Sequence, residues 1–208
     1  MIRPLLVVGT DTGVGKTIVS AALVGQLRAH YWKPVQSGLE EETDSELVRR
    51  LCGLEFDPVL PEAYRLQTPC SPHEAARIDG VEIDPDRLVP PRVAGPLVIE
   101  GAGGVLTPLR LDLVYADVFA RWNARAVVVA RTSLGTINHC LLTLEAVRTR
   151  GVEIAGVVFS GEAEPVAEAA IEAIGRVRRL GRLSPVDPLT AATLQAAAAE
   201  ALDLDALR

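Results

Sequence analysis

Gly9-Thr10-Asp11-Thr12-Gly13-Val14-Gly15-Lys16-Thr17 is the stretch that decides the fold. The apolar run Leu5-Leu6-Val7-Val8 precedes it and reads as a buried strand. Residues 16–29 follow it and read as a helix. A glycine-rich turn between strand and helix aims several backbone N–H groups at one point, and the positive end of the helix dipole adds to that field. Lys16 brings a mobile positive charge to the outer phosphates of a nucleotide, and the hydroxyl of Thr17 can hold Mg²⁺. The chain is therefore expected to bind a nucleoside triphosphate. The usual phosphate loop has four residues between its first glycine and the Gly-Lys pair. Here five lie between Gly9 and Gly15, so the loop is one residue longer.

Outward from the loop, strand and helix patterns alternate. Residues 31–35 read as a short strand, 44–51 as a helix, 96–100 as a strand that ends in Gly101-Ala102-Gly103-Gly104, and 113–122 as a helix. The continuous apolar run at 126–130 fits a central parallel strand. Residues 137–150 read as a helix, 154–159 as a strand, 165–178 as a helix and 180–183 as a last strand. Residues 53–93, rich in proline and charge, have no legible pattern. The alanine-rich stretch 191–201 reads as a surface helix, since alanine is the best helix former. This alternation predicts a three-layer α/β/α fold of the P-loop NTPase kind: a mostly parallel sheet with helices on both faces.

A chain of 208 residues is compatible with one such domain, spanning residues 1–208. Hydrophobic residues make up 49% of it, which excludes a disordered chain. The net charge of −6, from 21 basic and 27 acidic residues, argues against a general nucleic-acid binder. Cys52, Cys70 and Cys140 are far apart, without zinc or redox spacing, and suit a reducing cytosol. The start runs straight into the loop with no room for a signal peptide. No apolar stretch approaches membrane-spanning length. A cytoplasmic protein without membrane or nucleic-acid partners is expected.

In open α/β sheets, ligands lie beyond the carboxyl ends of the strands. Four strand-end loops therefore supply candidate residues: the phosphate loop, Lys33-Pro34-Val35-Gln36-Ser37-Gly38, Glu100-Gly101-Ala102-Gly103-Gly104, and Ala130 through Asn138. Glu100 ends an apolar strand, where the Mg²⁺-binding acid of a P-loop enzyme is expected. Asp44, at the start of a predicted helix, is a second candidate acid. Lys33 ends a strand beside a second glycine turn.

Taken together, Gly9 to Thr17, Lys33 to Gly38, Glu100 to Gly104 with Thr107-Pro108, and Leu134-Gly135-Thr136-Ile137-Asn138-His139 resemble the dethiobiotin synthetase family. That family has the same elongated loop. The resemblance runs from Leu5 to about Phe159; between Cys52 and Pro96 it is carried by Ser71-Pro72-His73 alone.

It implies an ATP- and Mg²⁺-dependent enzyme that inserts CO₂ between the vicinal amines of 7,8-diaminononanoate to close the ureido ring of dethiobiotin. Carried over, Gly13, Val14, Gly15, Lys16 and Thr17 would hold the phosphates, with Lys16 on the β- and γ-phosphates. Thr17, Asp44 and Glu100 would hold Mg²⁺, and Gly101, Ala102 and Gly103 would line the nucleotide side. Lys33 matches the family's active-site lysine, and Thr12 and Ser37 match groups near the diamine and its carbamate. Gly135, Thr136, Ile137 and Asn138 match a helix start that receives the substrate carboxylate from the other subunit of a homodimer. Gly13 replaces an acid found in some members. Ser160-Gly161 replaces an asparagine that often reads the adenine, and residues 181–185 are expected to flank the base.

Other readings lead elsewhere. A cobyrinic acid amidase usually carries a separate glutaminase domain, for which this chain is too short. A partition-type nucleotide switch usually carries an additional lysine near the start of the loop, where this chain has Thr10, Asp11 and Thr12.

Overall fold

Every residue of β1 (Leu5–Gly9) is buried. Such a strand has to be covered on both faces, and its alternating side chains divide between two cores. In the computed structural model, which describes residues 2–207, this is the arrangement found. After β1 come α1 (Lys16–Leu27), β2 (His30–Trp32), β3 (Val35–Ser37), α2 (Asp44–Leu51), β4 (Val59–Leu60), β5 (Tyr64–Leu66) and α3 (Pro72–Asp79). The chain continues with β6 (Leu97–Gly104), β7 (Pro108–Arg110), β8 (Leu113–Val114), α4 (Tyr115–Phe119), β9 (Arg125–Arg131) and α5 (Thr136–Thr149). It ends with β10 (Glu153–Ser160), α6 (Pro165–Gly175), β11 (Arg179–Leu183) and α7 (Ala191–Ala201).

The main sheet has seven strands in the order β11-β10-β9-β1-β6-β2-β4, and each neighbouring pair is parallel. Leu5, Val7, Val98 and Val127 face α1, α2 and α7 in one core. Leu6, Val8, Ile99 and Val128 face α3, α4, α5 and α6 in the other. The expected three-layer α/β/α fold is thus present. The chain crosses from β6 to β9 over β1, so the phosphate loop opens at the point where the strand order reverses. Among the described residues no helix is long and apolar enough to cross a membrane.

Several local expectations change. The run 31–35 is two strands: β2 belongs to the main sheet, while β3 pairs with β5 in a separate two-stranded sheet. Pro34 has no N–H to give a ladder and biases Lys33 toward extended backbone, so the chain leaves the main sheet there. The glycines at 101–104 continue β6 rather than leave it, with Gly104 paired to Gly9. The expected helix at 113–122 is only α4, because Leu113 and Val114 form a hairpin strand with β7. The helix α7 is less superficial than its composition implies. Leu194 and Ala198 are fully buried, and Gln195 Nε2 donates to Ala21 O at 3.0 Å and Leu51 O at 3.1 Å.

Candidate active site

The loop after β1 owes its shape to glycine at its last turn. Gly15 has φ 94°, and a Cβ placed there would collide with Ser160 Oγ. The C-terminal end of β10 is thereby packed against the phosphate loop. The side chain of Val14 turns into the core, 2% exposed, so only the backbone of Val14 is available to a phosphate. Lys16 Nζ donates to the carbonyl of Asp11, within the loop itself, at 2.9 Å. Burial, and then the neighbouring Lys33, lower the Lys16 pKa to about 8 against the opposing pull of Glu100, Asp44 and Asp11.

Asp44 reaches the loop because α2 begins at a defined residue. Thr43 and Glu46 form a reciprocal capping box, in which Thr43 Oγ1 accepts from Glu46 N and Glu46 Oε2 accepts from Thr43 N. Asp44 therefore occupies the first helical position, and its N–H donates to Gln36 Oε1 at 3.3 Å. Thr17 Oγ1 lies 2.7 Å from Asp44 Oδ1 and 3.0 Å from Glu100 Oε1. One hydroxyl and two carboxylates thus converge from α1, α2 and β6. Among the described residues no cluster of three or more His, Cys, Asp and Glu side chains forms a metal cage. The sparse oxygen set here fits Mg²⁺, which keeps several waters and takes its remaining oxygens from nucleotide phosphates.

Lys33, 3% exposed at the break between β2 and β3, ties the same acids together. Its Nζ lies 2.7 Å from Asp44 Oδ2 and 3.0 Å from Glu100 Oε1, and donates to Gly101 O at 3.1 Å. Burial on its own would favour the neutral amine, but Glu100 and Asp44 outweigh it and hold the ammonium pKa above the ordinary lysine value. The same pairing holds Asp44 below the usual carboxylate range despite its desolvation.

A cleft of about 640 Å³ opens over these groups. Thr12, Gly13, Gly15, Lys16, Thr17, Lys33, Ser37, Asp44, Glu100, Ala102 and Gly103 all line it. Ser37 Oγ is buried without a hydrogen-bond partner among the described residues. The opposite rim comprises Pro69, Cys70, Ser71 and Pro72, with Thr107 from the loop after β6. Of these rim residues, Ser71, Pro72 and Thr107 fall within quoted sequence motifs without having been assigned to the site. Ser71 is the N-cap residue of α3, yet its hydroxyl lies 3.0 Å from His73 Nδ1 and makes no cap bond.

Gly135, Thr136 and Ile137 are not in this cleft. They line a separate cavity of about 300 Å³ at the end of β9, with Glu164 and Ala167. Gly135 caps α5 with φ 93°, and Asn138 is exposed in the first turn of that helix.

A family model described as an AAA domain matches residues 3–193. The chain is 58% identical over 196 residues to the ATP-dependent dethiobiotin synthetase BioD of Agrobacterium fabrum, covering 94% of this chain and 92% of that one. It is 59% identical over 201 residues to the protein of the same name from Rhizorhabdus wittichii, covering 97% and 96%. Among solved structures, the septum site-determining protein MinD of Pyrococcus horikoshii, complexed with Mg-ADP, superposes with a TM-score of 0.59 at 15% identity, covering 96% of each chain. A ParA family ATPase from Chlorobium tepidum superposes with a TM-score of 0.53 at 11% identity, covering 95% of this chain and 97% of that one. At such identities those two likenesses concern the fold. Identity near 60% across nearly the whole length carries more, and by it the chain belongs to the family of ATP-dependent dethiobiotin synthetases.

Proposed function

We propose that this protein, acting as one P-loop domain, uses ATP and Mg²⁺ to join CO₂ to 7,8-diaminononanoate and close the ureido ring of dethiobiotin, a step of biotin biosynthesis. The observation that carries the reading is the convergence of Lys16, Thr17, Lys33, Asp44 and Glu100 on one cleft, in a chain whose relatives bear the synthetase name.

The chemistry suits those residues. One amine adds to CO₂ and loses a proton, leaving a carbamate anion. A carbamate oxygen attacks the γ-phosphate and ADP departs. The second amine then attacks the carbamate carbon, and phosphate leaves. Negative charge collects at each stage, and preorganised cations in a partly dry cleft stabilise it. Lys16 binds the outer phosphates, and Lys33, which shares the cleft with Thr12 and Ser37, stabilises the carbamate. Mg²⁺, when bound through Thr17, Asp44 and Glu100, supplies Lewis-acid charge to the phosphate oxygens. The nucleotide side is assigned to Gly13, Gly15, Ala102 and Gly103 of the cleft wall, to the backbone of Val14 and to Ser160, which packs against Gly15, with Gly101 behind Lys33.

The diamine carboxylate is assigned to Gly135, Thr136, Ile137 and Asn138 of a second subunit. A helix start offers free N–H groups to an anion. Four leucines support an association surface: Leu106, Leu111, Leu134 and Leu142 are 52%, 95%, 102% and 56% exposed. Leu106 and Leu142 flank a cavity of about 350 Å³ beside Thr10 and Asp11 of the phosphate loop.

Incubation with ATP, Mg²⁺, bicarbonate and 7,8-diaminononanoate should yield dethiobiotin, detected by mass. Absence of product, together with ATP hydrolysis stimulated by DNA or lipid, would replace this reading with the partition-type switch.

A further inference from the structure

The two oxygens of the Glu100 carboxylate have different surroundings. Oε1 faces the cleft side, 3.0 Å from Thr17 Oγ1 and 3.0 Å from Lys33 Nζ. Oε2 accepts a hydrogen bond from the Tyr31 hydroxyl at 3.0 Å. Tyr31 and Glu100 are both 0% exposed. Tyr31 lies on β2 directly beside Val98 of β6. Residues two apart on a strand share a face, so Tyr31 has only to lean along β6 to meet Glu100. A phenylalanine would fill the same space in the core. Burying the additional hydroxyl is unfavourable unless it has a partner, and its partner is this carboxylate.

We propose that Tyr31 is a positioning residue for the metal-binding face of Glu100. Its O–H fixes Oε2 against the sheet and presents Oε1 alone toward Thr17 and Asp44. The acid then meets a cation through a single oxygen. That restriction has a consequence for metal choice. Mg²⁺ requires compact, near-octahedral oxygen ligation, whereas Ca²⁺ accepts more ligands and readily takes both oxygens of a carboxylate. A glutamate pinned at one oxygen favours the smaller ion. Asp44 has no such tether to a neutral hydroxyl of the core, and its other oxygen pairs with the buried ammonium of Lys33. The role of fixing a metal-ligand orientation therefore rests on Tyr31.

The inference depends on Glu100 being a metal ligand, so the test includes that residue. Mn²⁺ binding to the full chain in the presence of ADP can be followed by electron paramagnetic resonance, with Ca²⁺ as competitor. Wild type, Tyr31→Phe and Glu100→Gln are compared, and metal-free ADP affinity is measured for each. Loss of a partner that orients a metal ligand typically costs about 10–100-fold in metal affinity. Tyr31→Phe should weaken Mn²⁺ about tenfold, narrow the preference for Mn²⁺ over Ca²⁺, and leave metal-free ADP affinity unchanged. An unchanged Mn²⁺ affinity and preference in Tyr31→Phe, with a clear loss in Glu100→Gln, overturns the role of Tyr31. No loss in Glu100→Gln overturns the underlying assignment of the ligand instead. Should Tyr31→Phe fail to fold, 3-fluorotyrosine placed at position 31 gives a ¹⁹F signal in the otherwise intact protein. That signal should shift when Mg²⁺ is added and stay still in the Glu100→Gln background; a signal that Mg²⁺ does not move in the otherwise wild-type chain overturns the proposal.

Discussion

Lys33 is close enough to depress the pKa of Lys16, yet the two lysines are held in opposite ways. Lys16 is anchored by one neutral carbonyl and is desolvated, so its ammonium is the less stabilised of the two. Phosphate oxygens offer it a better partner than Asp11 O. Lys16→Ala should therefore lower turnover by about 10²–10³, the usual cost of removing one preorganised donor at developing charge. The fold should persist, because Lys16 lies outside both hydrophobic cores and its ammonium is held by one carbonyl of the loop itself; steady-state kinetics and a thermal melt check the two halves of the expectation. Lys33 is the opposite case, a buried cation that neutralises two acids. Lys33→Met should abolish product formation and also leave Asp44 and Glu100 without their cation. Breaking a buried ion pair from one side costs about 3–5 kcal/mol. Mg²⁺ would meet that same pair of carboxylates, so it should recover part of the loss. Melting Lys33→Met in chelator and in Mg²⁺ should show a larger gap between the two than wild type does. An equal gap would mean that the acids do not serve a cation.

At the scale of elements, the helix α7 fastens α1 to α2 through one side chain. Gln195 donates to Ala21 O and Leu51 O and accepts from Gln26 Nε2 at 3.0 Å. It fits because Gly25 of α1 has no Cβ to obstruct it or the Cys52 carbonyl. Gln195→Ala should destabilise the protein by about 1–3 kcal/mol, the cost of leaving buried polar groups unsatisfied, seen as a lower urea midpoint at unchanged slope. That packing was not visible in a row of alanines, which announces a helix but not what the helix covers. Elements with a clear pattern were legible: β1, β9 and β10 carry continuous apolar stretches, and Leu47, Val48 and Leu51 mark one face of α2, whereas its Thr43–Glu46 cap was recognised only in the structure. The stretch 53–93 was illegible because its strands are too short for periodicity to develop, and because α3, though as long as α2, offers only Ala75, Ala76 and Ile78 as apolar positions. It holds β4 of two residues, β5 of three and α3 of eight. Lys33, Asp44 and Glu100 could be selected because they fall at strand ends or a helix start, where the fold class puts ligands. Tyr31 could not, since a tyrosine within a strand pattern is read as packing until its hydroxyl is seen to end on a carboxylate.

The whole molecule raises a question of completeness. In one chain the cleft over Lys16 and Lys33 is separate from the cavity at Gly135, Thr136 and Ile137, although both open at the carboxyl ends of the sheet. If the diamine lies in the cleft while its carboxylate is received by a helix start, a second chain has to bring that helix. Leu106 and Leu142, exposed beside Thr10 and Asp11 of the phosphate loop, would give that chain a surface on which to dock. A two-fold interface then creates two equivalent composite sites, each with the phosphate loop of one chain and α5 of the other. This can be tested by complementation. Lys16→Ala disables the loop, and Asn138→Phe obstructs the helix start, so each mutant homodimer should be nearly inactive. In a mixed dimer one composite site carries both defects and the other carries none. Up to about half of the wild-type activity per mixed dimer should return, as that symmetry requires. Differently tagged chains, co-expressed and purified through both tags, give the mixed species free of either parent. If that species forms and is as inactive as its parents, each site is built from one chain, and the carboxylate has to be sought among the residues of the 640 Å³ cleft itself.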